Sequence, residues 1–286
     1  MRIHPAREAA FWPLLQNAPI GSQLIAGKTL HDLQEENAHG IGHAHQIENA
    51  WITHDDWLRL AEAAAPAAIQ SNCGTMLAWI GDQEIRTDNS IITASADSFL
   101  LRHAWDFLRV NQCIVAALTE SNNDADVSSA AHIDGFVRMG KGTKILPGVM
   151  IEGNVIIGKN GKIGPNCYLR GATTIGDNCH IGQAVEIKNS IIGHGSSIGH
   201  LSYVGDSVIG SKVNFGAGTI TSNLRHDGAN HRSMVDSKLI DTGRRKFGTI
   251  VGDGTHTGIH TAIYPGRKLG PASATLPNDT VKYDIT

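Results

Sequence analysis

Aliphatic side chains recur at every sixth position through the second half of the chain. Ten positions in one unbroken series are all aliphatic: Ile133, Met139, Ile145, Ile151, Ile157, Ile163, Leu169, Ile175, Ile181 and Ile187. Two five-residue steps then shift the series to Ile192 and to Ile209, and the six-residue step resumes at Val251. A period of six matches neither the 3.6-residue period of an α-helix nor the two-residue alternation of a simple strand.

The period predicts a triangular parallel solenoid, in which each hexapeptide supplies one short strand and one corner. Three hexapeptides form a coil of about 18 residues, and coils stack at the strand spacing of about 4.8 Å. The aliphatic residue points to the axis, and the glycine that often follows it relieves the backbone at the corner. Residues 131–286 are therefore predicted to be a parallel β-helix, with a loop extruded at 221–248, where the period stops.

Composition divides the chain near residue 130. Residues 1–130 hold all five tryptophans and only 6 of the 32 glycines. The absence of tryptophan from the second part fits a narrow solenoid, whose bore is filled by isoleucine and valine. The first part has 7 Lys+Arg against 16 Asp+Glu, a net charge of −9, and the second has 17 against 11, a net charge of +6. The basic half suits an anionic ligand, but its charge is too dilute to indicate nucleic acid.

The N-terminal part is predicted to be a small α/β or α+β module over residues 1–95, so the whole chain is mainly β. Residues 96–130 are predicted to be a linker helix, capped by Asp97 or Ser98, and a linker. Within the module we expect a helix from Asp55 and strands at 76–80 and 91–94.

Several classes of protein are excluded by what the sequence lacks. The sequence contains no run of eighteen apolar residues, so no membrane span is predicted. The first residues lack the apolar core of a secretory signal. The four cysteines are far apart without a C-x-x-C pair, as expected of free thiols in a cytoplasmic protein. Four histidines lie close in sequence but lack a cysteine or carboxylate at ligand spacing, so no metal site is predicted: His39, His43, His45 and His54.

Two cations break the rule that a small residue follows the axial aliphatic one. Arg170 and Lys188 both stand at this position, and the 18 residues between them equal one coil. Their side chains should therefore lie one above the other, and the resulting repulsion would be relieved by an anion between them. The pair predicts a phosphate-binding site.

The most specific motifs lie in the later coils. They are Val185-Glu186-Ile187-Lys188-Asn189, Gly199-His200-Leu201-Ser202-Tyr203, Asn214-Phe215-Gly216-Ala217-Gly218-Thr219-Ile220-Thr221 and Asp227-Gly228-Ala229-Asn230. With these motifs, residues 130–285 resemble the acetyltransferase half of the bifunctional enzyme that makes UDP-N-acetylglucosamine, a glucosamine-1-phosphate N-acetyltransferase. The tract from Thr242 to Gly266 is more similar to archaeal-type sugar-1-phosphate nucleotidylyltransferases, which carry the same acetyltransferase tail.

The resemblance implies a left-handed parallel β-helix and a CoA-dependent N-acetyltransferase acting on an amino-sugar phosphate of the glucosamine-1-phosphate or galactosamine-1-phosphate type. It implies that His200 is the general base, which suits imidazole because its pKa lies near working pH. The implied substrate-binding residues are Arg170, Glu186, Lys188, Tyr203, Asn214 and Asn223, and the implied acetyl-CoA contacts are Ala217, Gly258 and Arg267. Neither a resident metal nor Mg²⁺ is implied.

The resemblance also implies a homotrimer, because one narrow solenoid offers only shallow faces and the family builds its site between subunits. Three positions differ from the family pattern: Leu224 replaces a tyrosine, His231 aligns with a lysine and Ile259 with a serine. The other half of the bifunctional enzyme needs a glycine-rich phosphate loop, which residues 1–130 lack. Nucleotidylyl transfer is therefore not expected of this chain.

Two other functions remain open from the sequence. The γ-type carbonic anhydrases use the same solenoid with three histidines that bind zinc between subunits, and the available histidines are His180, His194 and His200. Their spacing does not match that family. The other alternative is a non-catalytic solenoid that binds a sugar nucleotide.

Overall fold

A computed structural model describes residues 1–4, 10–15, 18–81 and 90–286. The chain forms two compact units. One comprises most of residues 1–106, and the other comprises residues 107–286 together with two short segments from the N-terminal part.

The first unit is built on a mixed five-stranded sheet with the order Arg2–His4, Ala44–Ile47, Met76–Ile80, Ala67–Gln70 and Ser90–Thr93. Its helices are Leu30–Asn37 and His54–Glu62, and each begins after a threonine whose hydroxyl accepts a hydrogen bond from the first turn. Further elements are the strand pairs Leu24–Ile25 with Lys28–Thr29 and Ala50–Trp51 with Phe99–Leu100, and the 3₁₀ turns Ile20–Ser22 and Ala104–Asp106. The predicted helix near Asp55 and both predicted strands are present.

The predicted cap of the linker helix was wrong. The helix spans Phe107–Ala116, whereas Phe99–Leu100 is a strand paired with Ala50–Trp51. The Ser98 hydroxyl accepts a hydrogen bond from the Thr53 backbone N–H at 2.9 Å instead of capping the helix. Pairing between distant segments therefore overrides the local helical pattern in this stretch.

The second unit is a parallel β-solenoid with three sheets, which we call faces 1, 2 and 3. Face 1 has the strands Asn122–Asn123, Val137–Met139, Val155–Ile157, Thr173–Ile175, Ile191–Ile192, Val208–Ile209, Thr249–Val251 and Arg267–Leu269. Face 2 has Asp126–Val127, Lys144–Ile145, Lys162–Ile163, His180–Ile181, Ser197–Ile198, Asn214–Phe215 and His256–Thr257. Face 3 has His132–Asp134, Met150–Glu152, Tyr168–Arg170, Glu186–Lys188, Tyr203–Gly205, Ile220–Thr221, Ala262–Ile263 and Thr280–Val281. The predicted solenoid is confirmed, and its first strands already lie within the stretch predicted as a linker.

The axial positions of the repeat form one continuous core. Ile151, Leu169 and Ile187 are fully buried, and all belong to a single hydrophobic cluster along the axis. Phe215 occupies the same core with 1% of its surface exposed, so one phenylalanine fits the bore. The period of six therefore reports the inward residues that form this core, as predicted.

Glycines at the corner between faces 2 and 3 let successive coils approach closely. A Cβ at Gly182 would lie 2.8 Å from the backbone nitrogen of His200, and one at Gly216 would lie 2.7 Å from the carbonyl carbon of Gly258. Real Cβ atoms do not approach backbone atoms so closely. Glycine is therefore required at this corner by coil stacking.

The extruded loop contains a hairpin, Arg232–Val235 with Lys238–Asp241. The loop is held against its own solenoid. The Ser233 hydroxyl donates to the carbonyl of Gly266 at 2.9 Å, and the Phe247 N–H donates to the carbonyl of Asn223 at 3.1 Å. The Phe247 bond joins the two ends of the loop, and the Ser233 bond holds its hairpin against the turn between faces 3 and 1.

The helix Phe107–Ala116 is joined to face 1 by the side chain of Asn111. Asn111 donates to the carbonyl of Ala172 at 2.7 Å and accepts from the Thr174 hydroxyl at 2.9 Å. Across the described ranges, no helix is both long and apolar enough to cross a membrane.

Candidate active site

Face 3 brings the two cations of the sequence analysis into register. Arg170 pairs with Lys188 on the adjacent strand, and Glu186 in turn pairs with Tyr203 on the next. Neighbouring in-register residues lie about 4.8 Å apart along the axis. The predicted stacking of Arg170 on Lys188 is therefore present.

The expectation that the two cations need an external anion was incomplete, because each has a carboxylate partner within the chain. Arg170 donates through Nε and Nη2 to Glu186 Oε1 at 2.8 and 2.6 Å. Lys188 Nζ lies 3.3 Å from Asp206 Oδ2. The four formal charges sum to zero. An incoming phosphate must therefore share these cations with carboxylates rather than relieve bare repulsion.

The two ion pairs differ in exposure. The Arg170 and Glu186 side chains are 35% and 33% exposed, whereas those of Lys188 and Asp206 are 13% and 3% exposed. Exposed pairs contribute little stability and exchange partners readily, but a buried cation and carboxylate depend on each other. Arg170 is thus available to a ligand, and Lys188 is held in place.

Tyr203 and Asn223 meet beside this buried pair. Asn223 Nδ2 donates to the Tyr203 hydroxyl oxygen at 2.8 Å and to Asp206 Oδ2 at 2.6 Å. Burial, followed by the charges of Asp206 and Glu186, raises the pKa of Tyr203, so the phenol stays protonated at neutral pH. Because its oxygen accepts from Asn223, its hydrogen is free to be donated to a bound ligand.

Gly205 provides the space in which these groups meet. It is in register with Lys188, so it continues the column of outward side chains on face 3 but adds none. A Cβ there would lie 2.7 Å from Asn223 Nδ2 and would also collide with the Tyr203 hydroxyl. The glycine therefore lets the Tyr203 hydroxyl and the Asn223 amide pack directly against the backbone.

Asp206 and its neighbour Asn189 were missed as site residues. Each lies in one of the two five-residue steps, where the corner after face 3 is shortened, and each has a left-handed backbone, with φ of 50° and 46°. Asn189 Nδ2 lies 3.3 Å from Asp206 Oδ1. The breaks in the period were the available signal, since they mark the two corners whose side chains reach the site.

His200 lies at the exposed corner between faces 2 and 3, in the turn that precedes the Tyr203–Gly205 strand. Its imidazole has no hydrogen-bond partner among the residues that the structure describes. The next two coils place Ala217 and Ile259 at the position equivalent to His200, because the Gly218 N–H donates to the carbonyl of His200 and the His260 N–H to that of Ala217. His200, Ala217 and Ile259 therefore form one column along the axis, and Gly258, in register with Gly216, lies one residue earlier at the same corner.

Two predicted site residues lie on other faces. Asn214 is exposed on face 2, in register with Ser197 and His256. Arg267 lies on face 1, where Nη2 donates to the carbonyl of Arg232 at 3.2 Å. Within one chain, neither residue joins the cluster on face 3.

His231, which aligns with a family lysine, is a buried support for Asn223. Only 1% of the residue is exposed, and Nε2 lies 3.0 Å from the carbonyl oxygen of Asn223. Burial lowers the pKa of His231, so the ring is neutral at neutral pH and Nε2 carries the donated proton. This side chain holds the backbone of Asn223 from behind.

A groove of about 560 Å³ continues face 3 beyond Tyr203. Its walls combine exposed apolar residues of the solenoid with the start of the loop. The lining residues are Ile220, Ser222, Leu224, Arg225, His226, Asp227, Ala262, Ile263, Tyr264 and Pro265. Leu224, which differs from the family pattern, thus lies in the groove beside Asn223.

The histidines considered as zinc ligands are not assembled within this chain. His194 Nδ1 accepts a hydrogen bond from the Asp177 backbone N–H at 2.8 Å, and His180 lies on face 2. In the described part of the chain, no group of three histidine, cysteine or acidic side chains could hold a metal ion.

The close packing at Gly205 gives a first prediction. Gly205→Ala should raise the KM for the acceptor about five- to tenfold, because the added methyl group would collide with the Tyr203 hydroxyl and the Asn223 amide and displace them. The KM for acetyl-CoA should stay within about twofold. Steady-state kinetics with each substrate varied in turn measures both values. Equal increases in both KM values would contradict a role confined to the acceptor.

The fold and site together define a hexapeptide-repeat solenoid with a polar cluster of paired charges on one face and an exposed histidine at the adjoining corner. Residues 151–264 match the family described as the GMPPB C-terminal domain. This match covers all the predicted site residues except Arg267.

The C-terminal part of the chain is also similar to archaeal proteins, which confirms the resemblance drawn from the motifs. "Bifunctional sugar-1-phosphate nucleotidylyltransferase/acetyltransferase" of Sulfurisphaera tokodaii is 43% identical over 181 residues, covering 63% of this chain and 45% of that protein. "Bifunctional protein GlmU" of Methanococcus maripaludis is 42% identical over 183 residues, covering 64% of this chain and 44% of that protein. This chain thus spans less than half the length of these relatives.

A solved structure of the UDP-N-acetylglucosamine acyltransferase of Francisella novicida aligns with a TM-score of 0.30 and 18% identity. The alignment covers 57% of this chain and 63% of that chain.

Proposed function

We propose that the protein is a CoA-dependent N-acetyltransferase that acts on an amino-sugar phosphate in nucleotide-sugar synthesis. The observation that carries the proposal is the juxtaposition on face 3 of Arg170, Lys188, Tyr203 and Asn223, next to the corner that bears His200. The similarity to proteins whose names include an acetyltransferase supports it.

In this reaction the sugar amine must be neutral to attack. The amine nitrogen bonds to the thioester carbonyl carbon, and His200 accepts the proton that the nitrogen loses. The tetrahedral intermediate then collapses, the C–S bond breaks, and the CoA thiolate leaves and takes up a proton. The exposed imidazole of His200 suits this role, since no hydrogen bond within the described chain occupies its nitrogens.

Acceptor binding would depend on the different exposure of the two ion pairs, Arg170–Glu186 and Lys188–Asp206. The phosphate of the acceptor approaches Arg170 and competes with Glu186, an exchange that is cheap because this pair is partly exposed. Lys188 adds a second, fixed cation. Tyr203 donates its free hydroxyl hydrogen to the sugar, and the side-chain oxygen Oδ1 of Asn223 accepts a hydrogen bond from it.

Acetyl-CoA would lie along the corner that Ala217 and Gly258 share with His200. The Ala217 N–H donates none of the backbone hydrogen bonds in the described chain, so it is available to the thioester oxygen, where negative charge develops. Gly258 lies at the same corner, and the exposed side chain of Ile259 directly follows it. Asn214 and Arg267 would act from a neighbouring subunit, because they lie on other faces of this one.

The proposal is tested by thiol release from acetyl-CoA with glucosamine-1-phosphate, galactosamine-1-phosphate and unphosphorylated glucosamine. We expect turnover with at least one of the two phosphates and a much higher KM for glucosamine. Release of thiol with none of the acceptors, from folded protein, would favour the non-catalytic alternative. Equal KM values with and without phosphate would remove the role given to Arg170 and Lys188.

A homotrimer is expected in solution, because the site residues on faces 1 and 2 can complete the cluster on face 3 only from another subunit. Sedimentation at the concentration used in the activity assay measures the mass of the active species. A fully active monomer would contradict the shared site.

Nucleotide-sugar formation is not expected of this chain. Residues 1–130 lack a glycine-rich loop for the nucleotide phosphates, so UTP or dTTP should not react with a sugar-1-phosphate. The measurement is pyrophosphate release that depends on both substrates, from protein free of host enzymes. Such release would show that the N-terminal module is a nucleotidylyltransferase.

A further inference from the structure

The Asp206 carboxylate lies at the centre of the polar cluster on face 3. Its Oδ2 accepts from Asn223 Nδ2 at 2.6 Å and from Lys188 Nζ at 3.3 Å. Its Oδ1 accepts from Asn189 Nδ2 at 3.3 Å. The side chain is 3% exposed, so it has little access to solvent or to a ligand.

Other corner aspartates of the solenoid have a different task. Asp177 Oδ1 accepts from the Lys159 backbone N–H at 2.7 Å, and Asp253 Oδ1 accepts from the Ser211 backbone N–H at 2.7 Å. Each therefore ties one coil to the next. The hydrogen bonds that the Asp206 carboxylate accepts in the described chain come from side chains instead.

The backbone of Asp206 is secured independently of its carboxylate. Its N–H donates to the carbonyl of Lys188 at 2.8 Å, and its carbonyl accepts from the Gly248 N–H at 2.9 Å. These bonds join the coil to the previous one and to the returning end of the loop. These two coil-joining bonds therefore do not involve the carboxylate, which contacts two predicted substrate-binding side chains, Lys188 and Asn223.

We propose that Asp206 is a positioning residue, whose carboxylate holds the Lys188 ammonium and the Asn223 amide in the geometry that binds the acceptor. The inference rests on the proposed function for its kinetic consequence, but the placement of the two side chains can be tested without it. A carboxylate is required because three donors converge on it, and an ionised carboxylate has acceptor sites only.

Asp206→Asn is the most informative variant, because it removes the charge and one acceptor oxygen and keeps the size of the side chain. Asparagine adopts a left-handed backbone readily, so the φ of 50° imposes no new strain. Its amide, however, has an NH₂ donor in place of one carboxylate oxygen. In one orientation the NH₂ group faces Lys188 and Asn223, and in the other it faces Asn189. Asp253→Asn is the matched control, because it neutralises a corner carboxylate away from face 3 and keeps an oxygen for the Ser211 N–H.

The first readout is the crystal structure of each variant. In Asp206→Asn, we expect the Lys188 ammonium or the Asn223 amide to move by more than about 1 Å, while both stay in place in Asp253→Asn. If both side chains keep their positions in Asp206→Asn, the proposal is overturned, whatever reaction the protein catalyses.

The second readout is the KM–kcat split with the phosphorylated acceptor that the wild type uses best. Asp206→Asn should raise the acceptor KM about tenfold or more and leave the acetyl-CoA KM within about twofold. Asp253→Asn should leave both unchanged. In a Lys188→Met, Asn223→Ala background, adding Asp206→Asn should change the acceptor KM by less than about threefold, because residues that act through one another are non-additive.

The outcomes separate the two proposals. Wild-type protein that turns over no acceptor removes the proposed function, and the crystal structures still decide the role of Asp206. An active wild type whose acceptor KM is unchanged in Asp206→Asn overturns the positioning role and leaves the proposed function intact. If Asp206→Asn raised the acceptor KM by a further tenfold or more in the Lys188→Met, Asn223→Ala background, Asp206 would act through neither Lys188 nor Asn223.

Discussion

His200→Ala should lower kcat for acetyl transfer by about 10²–10⁴-fold, the usual contribution of a general base. The imidazole lies at an exposed corner without a partner in the described chain, so its removal leaves the solenoid intact. Thiol release at saturating acetyl-CoA and acceptor measures the effect. The acetyl-CoA dissociation constant should hardly change, because the imidazole acts on the amine of the other substrate.

The matched control is His132→Ala, which removes an exposed histidine from the first strand of face 3, four coils before His200. It should retain wild-type kcat. If His200→Ala keeps wild-type kcat on an acceptor that the wild type uses well, His200 is not the base. A loss in kcat that raised pH restores would instead indicate that solvent hydroxide can replace the imidazole, which agrees with the assignment.

Lys188→Met should raise the KM for a phosphorylated acceptor about 10–100-fold, because a hydrogen bond to a charged group contributes about 1.5–3 kcal/mol. The effect on an unphosphorylated amino sugar should be small. Methionine is preferred to alanine because it fills most of the volume of the largely buried side chain. The ratio of the two KM values, with and without phosphate, is the quantity to measure.

The control for Lys188 is Lys162→Met, an exposed lysine on face 2. It should leave both KM values unchanged. Because Lys188→Met also leaves the Asp206 carboxylate without its cation, thermal unfolding must be measured alongside the kinetics. A drop in stability with an unchanged ratio of KM values would mean that Lys188 serves the fold and not the phosphate.

The sequence predicts the solenoid well because a single geometric rule, one inward residue for every six, determines its strands and their stacking. The same rule places Arg170 above Lys188, since 18 residues return the chain to the same face. In the N-terminal module no such rule operates. There, the strand Phe99–Leu100 forms through pairing with Ala50–Trp51, which the local pattern does not reveal.

The chemistry of the site is less predictable than its position. The pairing of Arg170 with Glu186 and of Lys188 with Asp206 depends on how side chains reach across coils, and the repeat carries no information on that reach. Motif similarity likewise grouped Asn214 and Arg267 with residues from which the faces of the solenoid separate them. Motif similarity does not indicate which of its residues lie together within one chain, and that depends on the geometry of the faces.

The most direct test of the proposed site is a crystal structure of the protein with an amino-sugar phosphate and CoA bound together. We expect the phosphate within hydrogen-bond distance of Lys188 Nζ and the Arg170 guanidinium, with the amine facing His200 and the CoA sulfur near Ala217. A phosphate bound away from face 3, or an amine that His200 of no subunit can reach, would contradict it.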